Sequence, residues 1–304
     1  MSIKVRNYTN IPGITEDYFL VREFFAKVGY GEYTYARWDW MITHTYLDKE
    51  TVGEMRIWLD EGAIVGIVAL DGSYGDTFCV TLSGYEYLKK DMLTYAHEKF
   101  QKHNDFGVLI SDADLEFKKT AAELGFIATE QKESDAIFYV DETSIKYTLP
   151  DGYSITSMKE CEDLAQYGQV LWKGFNHELD GEGPFVMTEE KEKAFSNEMY
   201  RENVNLELKV AVVNPEGNFV SYCGMWYDEE AGFAVIEPVA TDPKYRKMGL
   251  GKAAVLEGIK RVAKLGAKKV IVGSSQQFYY SIGMRPYRTA TKWIYRTKGN
   301  SESS

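Results

Sequence analysis

The segment Glu237-Pro238-Val239-Ala240-Thr241-Asp242-Pro243-Lys244-Tyr245-Arg246-Lys247-Met248-Gly249-Leu250-Gly251-Lys252-Ala253 constrains the fold more than any other part of the chain. It leaves an apolar stretch with strand character (Gly232 to Ala240), passes a polar turn, and enters a helix carrying Val255, Ile259 and Val262 at helical spacing. Two glycines one residue apart let the backbone bend and aim successive amides at one point, where the helix N-terminus adds partial positive charge. Such a turn cradles a diphosphate.

Three phosphate-binding loops compete for this pattern. A Walker A loop needs glycine at 246 and Ser or Thr at 253, where Arg246 and Ala253 stand. A dinucleotide fingerprint is met literally by Gly249-x-Gly251-x-x-Ala254. Its strand should abut the first glycine, however, and an acid should stand ~20 residues on, where Lys268 and Lys269 lie instead. In its strand–turn–helix setting R-x-x-G-x-G resembles a third kind, the acyl-coenzyme A loop of the GNAT superfamily.

The flanking pattern predicts a mixed α/β unit. Strands are expected at Tyr153–Ser157, Glu207–Val213, Asn218–Tyr227, Gly232–Ala240, Lys268–Gly273 and Thr291–Tyr295. Helices are expected at Glu160–Gly174, Thr188–Arg201, Gly249–Leu265 and Gln276–Ile282. The first half shows a faint copy. Setting Leu124-Gly125-Phe126 on Ile282-Gly283-Met284, an offset of 158, aligns Gly107-Val108-Leu109-Ile110 with the Lys268 strand, and the Tyr87–Phe100 helix with the Gly249 helix. That copy has Ser83-Gly84-Tyr85-Glu86-Tyr87-Leu88 at its turn and no glycine pair, so its helix start cannot admit a diphosphate closely. Polar and turn residues at 141–144 and 149–152 mark the boundary. The expected domains are 1–145 and 150–298.

Composition narrows the class. At 304 residues, 44% apolar, the chain is a globular protein long enough for two domains. The longest uncharged apolar run, Ala63 to Leu70, is far short of the ~20 residues of a membrane span, and residues 1–6 lack a signal-peptide block, so a soluble cytoplasmic protein with no membrane partner is expected. Three scattered cysteines and four histidines without ligand spacing suggest neither disulfides nor a metal. The net charge of −11 disfavours nucleic acid. Against that charge, residues 244–269 hold nine basic residues and one acid, Glu257. The later lysines read as a solvated helix face, whereas Lys244, Arg246 and Lys247 beside the glycine turn suit an anion.

Residues 239 to 254 resemble the acyl-CoA loop of the GNAT superfamily of N-acetyltransferases. The resemblance extends over about Tyr153 to Arg296, with Gly273-Ser274-Ser275-Gln276-Gln277-Phe278-Tyr279-Tyr280-Ser281-Ile282-Gly283-Met284 as a second anchor. It implies two GNAT-like domains in tandem, the first degenerate, as in other two-domain members. It implies acetyl-CoA as cosubstrate, with backbone groups of Val239, Ala240 and Thr241 holding pantetheine and the amides of Arg246, Lys247, Met248, Gly249, Leu250, Gly251 and Lys252 holding the diphosphate. Departures are Asp242 for a frequent His, Met284 for Phe, and Ser275, the candidate side-chain contact, for Asn.

Tyr279, four residues before Gly283, takes the place of the family's tyrosine that protonates the departing thiolate, with Tyr280 left to packing. Its counterpart in the first half is Ala121. Glu237 is either the general base, its pKa raised by an apolar setting, or an outward or substrate-holding carboxylate. Trp172, Phe175 and His177, beside the acidic loop Glu178–Gly183, fall where the family shapes its acceptor site. The acceptor is expected to be a small-molecule or peptide amine, and the protein a monomer or homodimer. A non-catalytic acyl-CoA-binding scaffold is the alternative, and peptidyl transfer from aminoacyl-tRNA a third reading, disfavoured by the acidic charge and the intact loop. The aromatic run Tyr30, Tyr33, Tyr35, Trp38, Trp40 reads as core.

Overall fold

The computed structural model describes residues 2–9, 15–31, 33–43, 49–141 and 145–295. Glu142, Thr143 and Ser144 of the expected boundary, His44, and Arg296 at the end of the resemblance lie outside the described residues.

In the first half the elements run β1 (Lys4–Asn7), α1 (Glu16–Val28), α2 (Tyr35–Thr43), α3 (Lys49–Gly53), β2 (Arg56–Asp60), β3 (Ala63–Leu70), β4 (Thr77–Thr81), α4 (Lys89–Phe100), β5 (Val108–Ser111), α5 (Leu115–Glu123) and β6 (Phe126–Tyr139). The second half continues with β7 (Ser154–Ser157), α6 (Leu164–Gly174), α7 (Glu189–Met199), β8 (Lys209–Val213), β9 (Phe219–Asp228), β10 (Phe233–Thr241), α8 (Leu250–Lys264), β11 (Lys269–Val272), α9 (Gln277–Ser281) and β12 (Arg285–Tyr295). The fold is mixed α/β, and the order repeats. An antiparallel meander (β1-β2-β3-β4; β7-β8-β9-β10) is followed by a helix and a parallel strand (α4 and β5; α8 and β11).

Three boundaries differ from expectation. Helix α6 begins at Leu164 because the Asp163 carboxylate caps the Gln166 amide. Residues Leu206–Leu208 form a 3-10 turn ahead of β8, capped by Asn205. Strand β12 starts at Arg285, well before Thr291.

Compactness divides the chain differently from 1–145 and 150–298. One unit holds Met1–Asp135 with Tyr287–Ser304, and the other holds Ala136–Pro286. Hydrogen-bonded register is the reason. Within the first unit, Ala290 to Trp293 of β12 pair antiparallel with Ser111 to Val108 of β5. Within the second, Ala136 to Tyr139 at the end of β6 pair with Val272 to Lys269 of β11. The closing strand of each unit is supplied by the other half of the sequence.

In the first unit the aromatic run is core. Tyr33, Tyr35 and Trp38 are buried, Tyr18 stacks on Trp38 with centroids 6.0 Å apart, and Tyr18 Oη donates to Asp39. The second unit has a core on each side of its sheet. Helix α8 turns Ala254, Val255, Ile259 and Val262 onto Cys223, Met225, Ala234 and Ile236. On the opposite side Tyr167, Val170 and Met199 of α6 and α7 meet Ala211 and Tyr222. Burial of these side chains stabilises each face by ~1.5–3 kcal/mol per large residue. No helix of the described residues is long and apolar enough to cross a membrane.

Candidate active site

Strand β10 is paired along its whole length on one edge and only in part on the other. It pairs with β9 from Phe233 through Thr241, but with β11 only at Phe233, Ala234 and Val235. Beyond Val235 its β11-side edge carries no ladder among the described residues, so backbone groups of 236–241 are open to an extended ligand arm. The register with β9 slips between Ile236 and Val239, which sets Glu237 and the cis-linked Pro238 in a bulge. Bulges re-aim side chains. Opposite the bulge only glycine fits, since a Cβ on Gly224 would overlap the Glu237 carbonyl oxygen and stand 3.1 Å from its carbon. The same carbonyl accepts from Trp226 Nε1 at 3.0 Å, and the Lys209 ammonium lies 3.5 Å over the Trp226 ring.

At the end of β10 the chain turns through Pro243–Tyr245, where Asp242 caps the Lys244 amide, into α8. Gly249 is the N-cap with φ 81°, Lys247 also has positive φ, and no side chain caps the helix. The first intrahelical bond runs from Ala253 N to Gly249 O, so the amides of 249–252 have no partner in the helix. Gly251 sits where a Cβ would come within 3.0 Å of Thr241 Oγ1. Unpartnered amides at a helix start are what the expected anion cradle requires, and one of the expected groups differs. The Arg246 amide donates to Pro243 O, and its guanidinium donates to Thr241 O (3.1 Å), Gly174 O (2.8 Å) and Asn176 Oδ1 (2.7 Å). Arg246 ties the end of α6 to the end of β10, and the free amides begin at Lys247.

Tyr279 is carried by α9. Its ring packs in the α8 core, only 7% exposed, beside Cys223. Its hydroxyl has no hydrogen-bond partner among the described residues and is not wholly shut off from solvent. Burial, then the neighbouring Cys223 and Glu237 charges, hold the phenol well above its ordinary pKa, so it stays protonated. Burial likewise pushes the Cys223 thiol up to about 12. Tyr280 is half-buried against the same core. Glu237 is half-buried.

The acceptor-side residues come out differently. Gly174 ends α6 so close to β10 that a Cβ would lie 2.6 Å from Ala240 Cβ and 2.8 Å from Thr241 N. Trp172 stacks on His177 at 4.2 Å and donates Nε1 to Gly183 O, while His177 Nδ1 meets Glu182 Oε1 at 2.7 Å. The pair clasps the 177–183 loop. Phe175, beyond the helix end, is exposed. Ser275 is exposed without a hydrogen bond among the described residues, and it is Ser274 Oγ that accepts from Gln276 N. Sequence reasoning passed over Gly174, Ser221 and Gly224. Ser221 Oγ sits 2.9 Å from Thr241 Oγ1 and donates to Ala240 O. A lone small residue in an apolar strand gives no signal of such a close approach.

The first unit treats its own turn otherwise. Gly84 N donates to Glu86 Oε2 at 2.8 Å, so a carboxylate occupies an amide there, and Ala121 is fully buried. Strands β4 and β5 pair at a single position, Thr77 with Val108.

Comparison with known proteins agrees with this geometry. The sequence model of the acetyltransferase (GNAT) family matches residues 172–284, which span α6 to α9. No curated protein sequence matches the chain. Among solved structures, a tandem GNAT protein from the clavulanic acid biosynthesis pathway superposes with TM-score 0.60 at 11% identity, covering 96% of this chain and 98% of its own. A GCN5-related N-acetyltransferase from Sphaerobacter thermophilus gives 0.59 at 13%, with 96% and 94% covered. A GNAT-family acetyltransferase from Colwellia psychrerythraea gives 0.59 at 9%, with 96% and 100% covered. At such identities the likeness is one of fold: residues 172–284 match the acetyltransferase (GNAT) family model, and the chain has the fold of tandem GNAT proteins.

Proposed function

We infer that the second unit is an acyl-CoA-dependent N-acyltransferase that moves an acetyl group from acetyl-CoA to a primary amine of a small molecule or peptide. The acceptor amine, relieved of a proton by Glu237 directly or through water, attacks the thioester carbonyl. A C–N bond forms, the C–S bond breaks, Tyr279 delivers its proton to the departing thiolate, and the second proton that the nitrogen sheds as the amide forms returns the phenolate to phenol. Amides near Val239 and Ala240 steady the oxyanion. The diphosphate rests on the amides of 247–252, and pantetheine runs along the unpaired edge of β10. The carrying observation is the Tyr279 hydroxyl, kept protonated and without a protein partner beside the strand edge that has none. The free proton donor also favours catalysis over a scaffold role. The acidic protein suits a cationic amine.

Calorimetric titration of acetyl-CoA, followed by thiol release across an amine panel, tests this reading. Micromolar binding, and turnover lost in Tyr279→Phe, are expected. No heat from a folded wild type would overturn it.

A further inference from the structure

A hollow of about 260 Å³ opens beside the start of α8, lined by Lys146, Tyr147, Thr148, Met248, Gly249 and Lys252. Half of its wall comes from residues 145–149, which precede β7 and lie far in sequence from the glycine loop. The segment alternates. Ile145, Tyr147 and Leu149 pack on the α8 core, while Lys146 and Thr148 are exposed. The Tyr147 hydroxyl donates to Glu257 Oε2 at 2.7 Å, fixing the segment along the helix.

The charges around this hollow are uneven. Glu257 is taken by Tyr147, Arg261 (3.0 Å) and Lys260 (3.7 Å). Lys146, Lys247 and Lys252, by contrast, have no ion pair among the described residues. Two lysines from distant segments lining one hollow whose wall holds no carboxylate leave it positively charged, a field that favours an anion. The hollow is several times the ~30 Å³ share of one water, room for a phosphate with its ribose.

We propose that Lys146 and Lys252 form a subsite for the 3′-phosphate of coenzyme A, so that the segment before β7 selects the phosphorylated coenzyme over its dephospho form. This rests on the reading that acyl-CoA is the cosubstrate. The diphosphate is held by backbone amides that any nucleotide diphosphate can use, whereas the 3′-phosphate is the group that distinguishes coenzyme A from such ligands. Lysine side chains reach it as point charges, without demanding a fixed geometry.

Calorimetric titration of CoA and of 3′-dephospho-CoA into wild type, Lys146→Ala, the Lys146→Ala, Lys252→Ala pair, and Lys264→Ala tests the subsite. Lys264, an exposed lysine at the far end of α8, controls for net charge. Wild type is expected to favour CoA by about tenfold or more, the strength of one charge-assisted phosphate contact. The ratio should fall in Lys146→Ala, approach unity in the double variant and persist in Lys264→Ala. Equal binding of the two compounds by wild type, or a ratio unchanged in the double variant, overturns the subsite while leaving acyl-CoA binding intact. Binding of neither compound to folded wild type overturns the acyl-CoA reading and the subsite with it.

Discussion

Gly224→Ala puts the bulge of β10 to the test. A Cβ at 224 would overlap the Glu237 carbonyl oxygen and lie 3.1 Å from both its carbon and Pro238 Cδ. Carbon and oxygen reach ordinary contact near ~3.5 Å, so the carbonyl must withdraw by ~1 Å. That carbonyl accepts from Trp226 Nε1 at 3.0 Å, and the bond cannot survive such a shift. Overpacking costs about 1–3 kcal/mol, and the lost bond adds about 0.5–1.5. The sum, about 1.5–4.5 kcal/mol, corresponds to a Tm lower by about 5–15 °C in a unit of this size. Glu237 moves with its own backbone, and a displacement of ~1 Å at a reacting group costs on the order of 10²-fold in kcat/KM. Gly258→Ala is the comparator. Its Cβ would meet the Met225 side chain, Cγ at 2.8 Å, rather than backbone, and alanine gains about 1 kcal/mol over glycine inside a helix, so the strand pairing at the bulge is left in place. Thermal unfolding by circular dichroism, Trp226 emission and thiol release should all separate Gly224→Ala from Gly258→Ala. A Gly224→Ala protein with wild-type Tm and turnover would refute the reasoning that the bulge is held by this contact.

Tyr279→Phe should keep the wild-type Tm, because the hydroxyl it deletes has no partner, while thiol release falls on the order of 10²-fold or more. Glu237→Gln should lower kcat/KM and flatten its acid limb if the carboxylate takes the amine's proton, and a pH–rate profile with an unchanged acid limb would reassign it to substrate holding. Arg246→Lys should lower Tm and raise the KM for acetyl-CoA, since one ammonium cannot span Thr241 O, Gly174 O and Asn176 Oδ1; unchanged values would count against the clamp. Tyr18, Tyr167, Tyr222 and Tyr279 all have pKa values raised by burial, so folding is favoured below the unfolded phenol value of about 10, and that stability is lost as pH rises above it. Absorbance at 295 nm should show these phenols ionising together with unfolding, and their ionisation in the folded protein would contradict the burial argument.

The parts of the second unit that were legible in the sequence share one property: a single contiguous segment encodes them. Gly249 and Gly251 carry their meaning in the φ of one and the tight approach of the other to Thr241, and both stand inside the strand–turn–helix pattern that makes them readable. Tyr279 is likewise singled out by its spacing from Gly283, and its place on the short helix α9 is local. What was not legible depends on which distant segment arrives opposite. Arg246 carries the charge expected of a phosphate ligand, and nothing local says that Gly174 and Asn176 will claim its guanidinium. His177 reads as a substrate residue until Trp172 and Glu182 close on it.

The closing strands make the same point at the scale of the fold. Both β6 and β12 follow a short helix and a glycine turn, and each is equally suited by pattern to close the sheet of its own half. Because the two halves descend through the same order of elements, β5 and β11 offer closely similar edges to either strand, and periodicity cannot choose between them. The choice is made by side chains beyond the ladder. Arg288 at the start of β12 donates to Asp135 Oδ2 at 2.8 Å and to Gly31 O, and Thr291 Oγ1 donates to Asp112 Oδ1 at 2.6 Å, all within the first unit. Asp135 is buried, so Arg288→Ala leaves a carboxylate without its cation inside the protein, which costs about 3–5 kcal/mol where such a pair is fully enclosed. With Arg288 itself 17% exposed, the lower end of that range is expected, read as earlier denaturant unfolding of the first unit with the acyl-CoA affinity of the second retained. Loss of acyl-CoA binding in step with that unfolding would instead mean that the two units fold as one cooperative body.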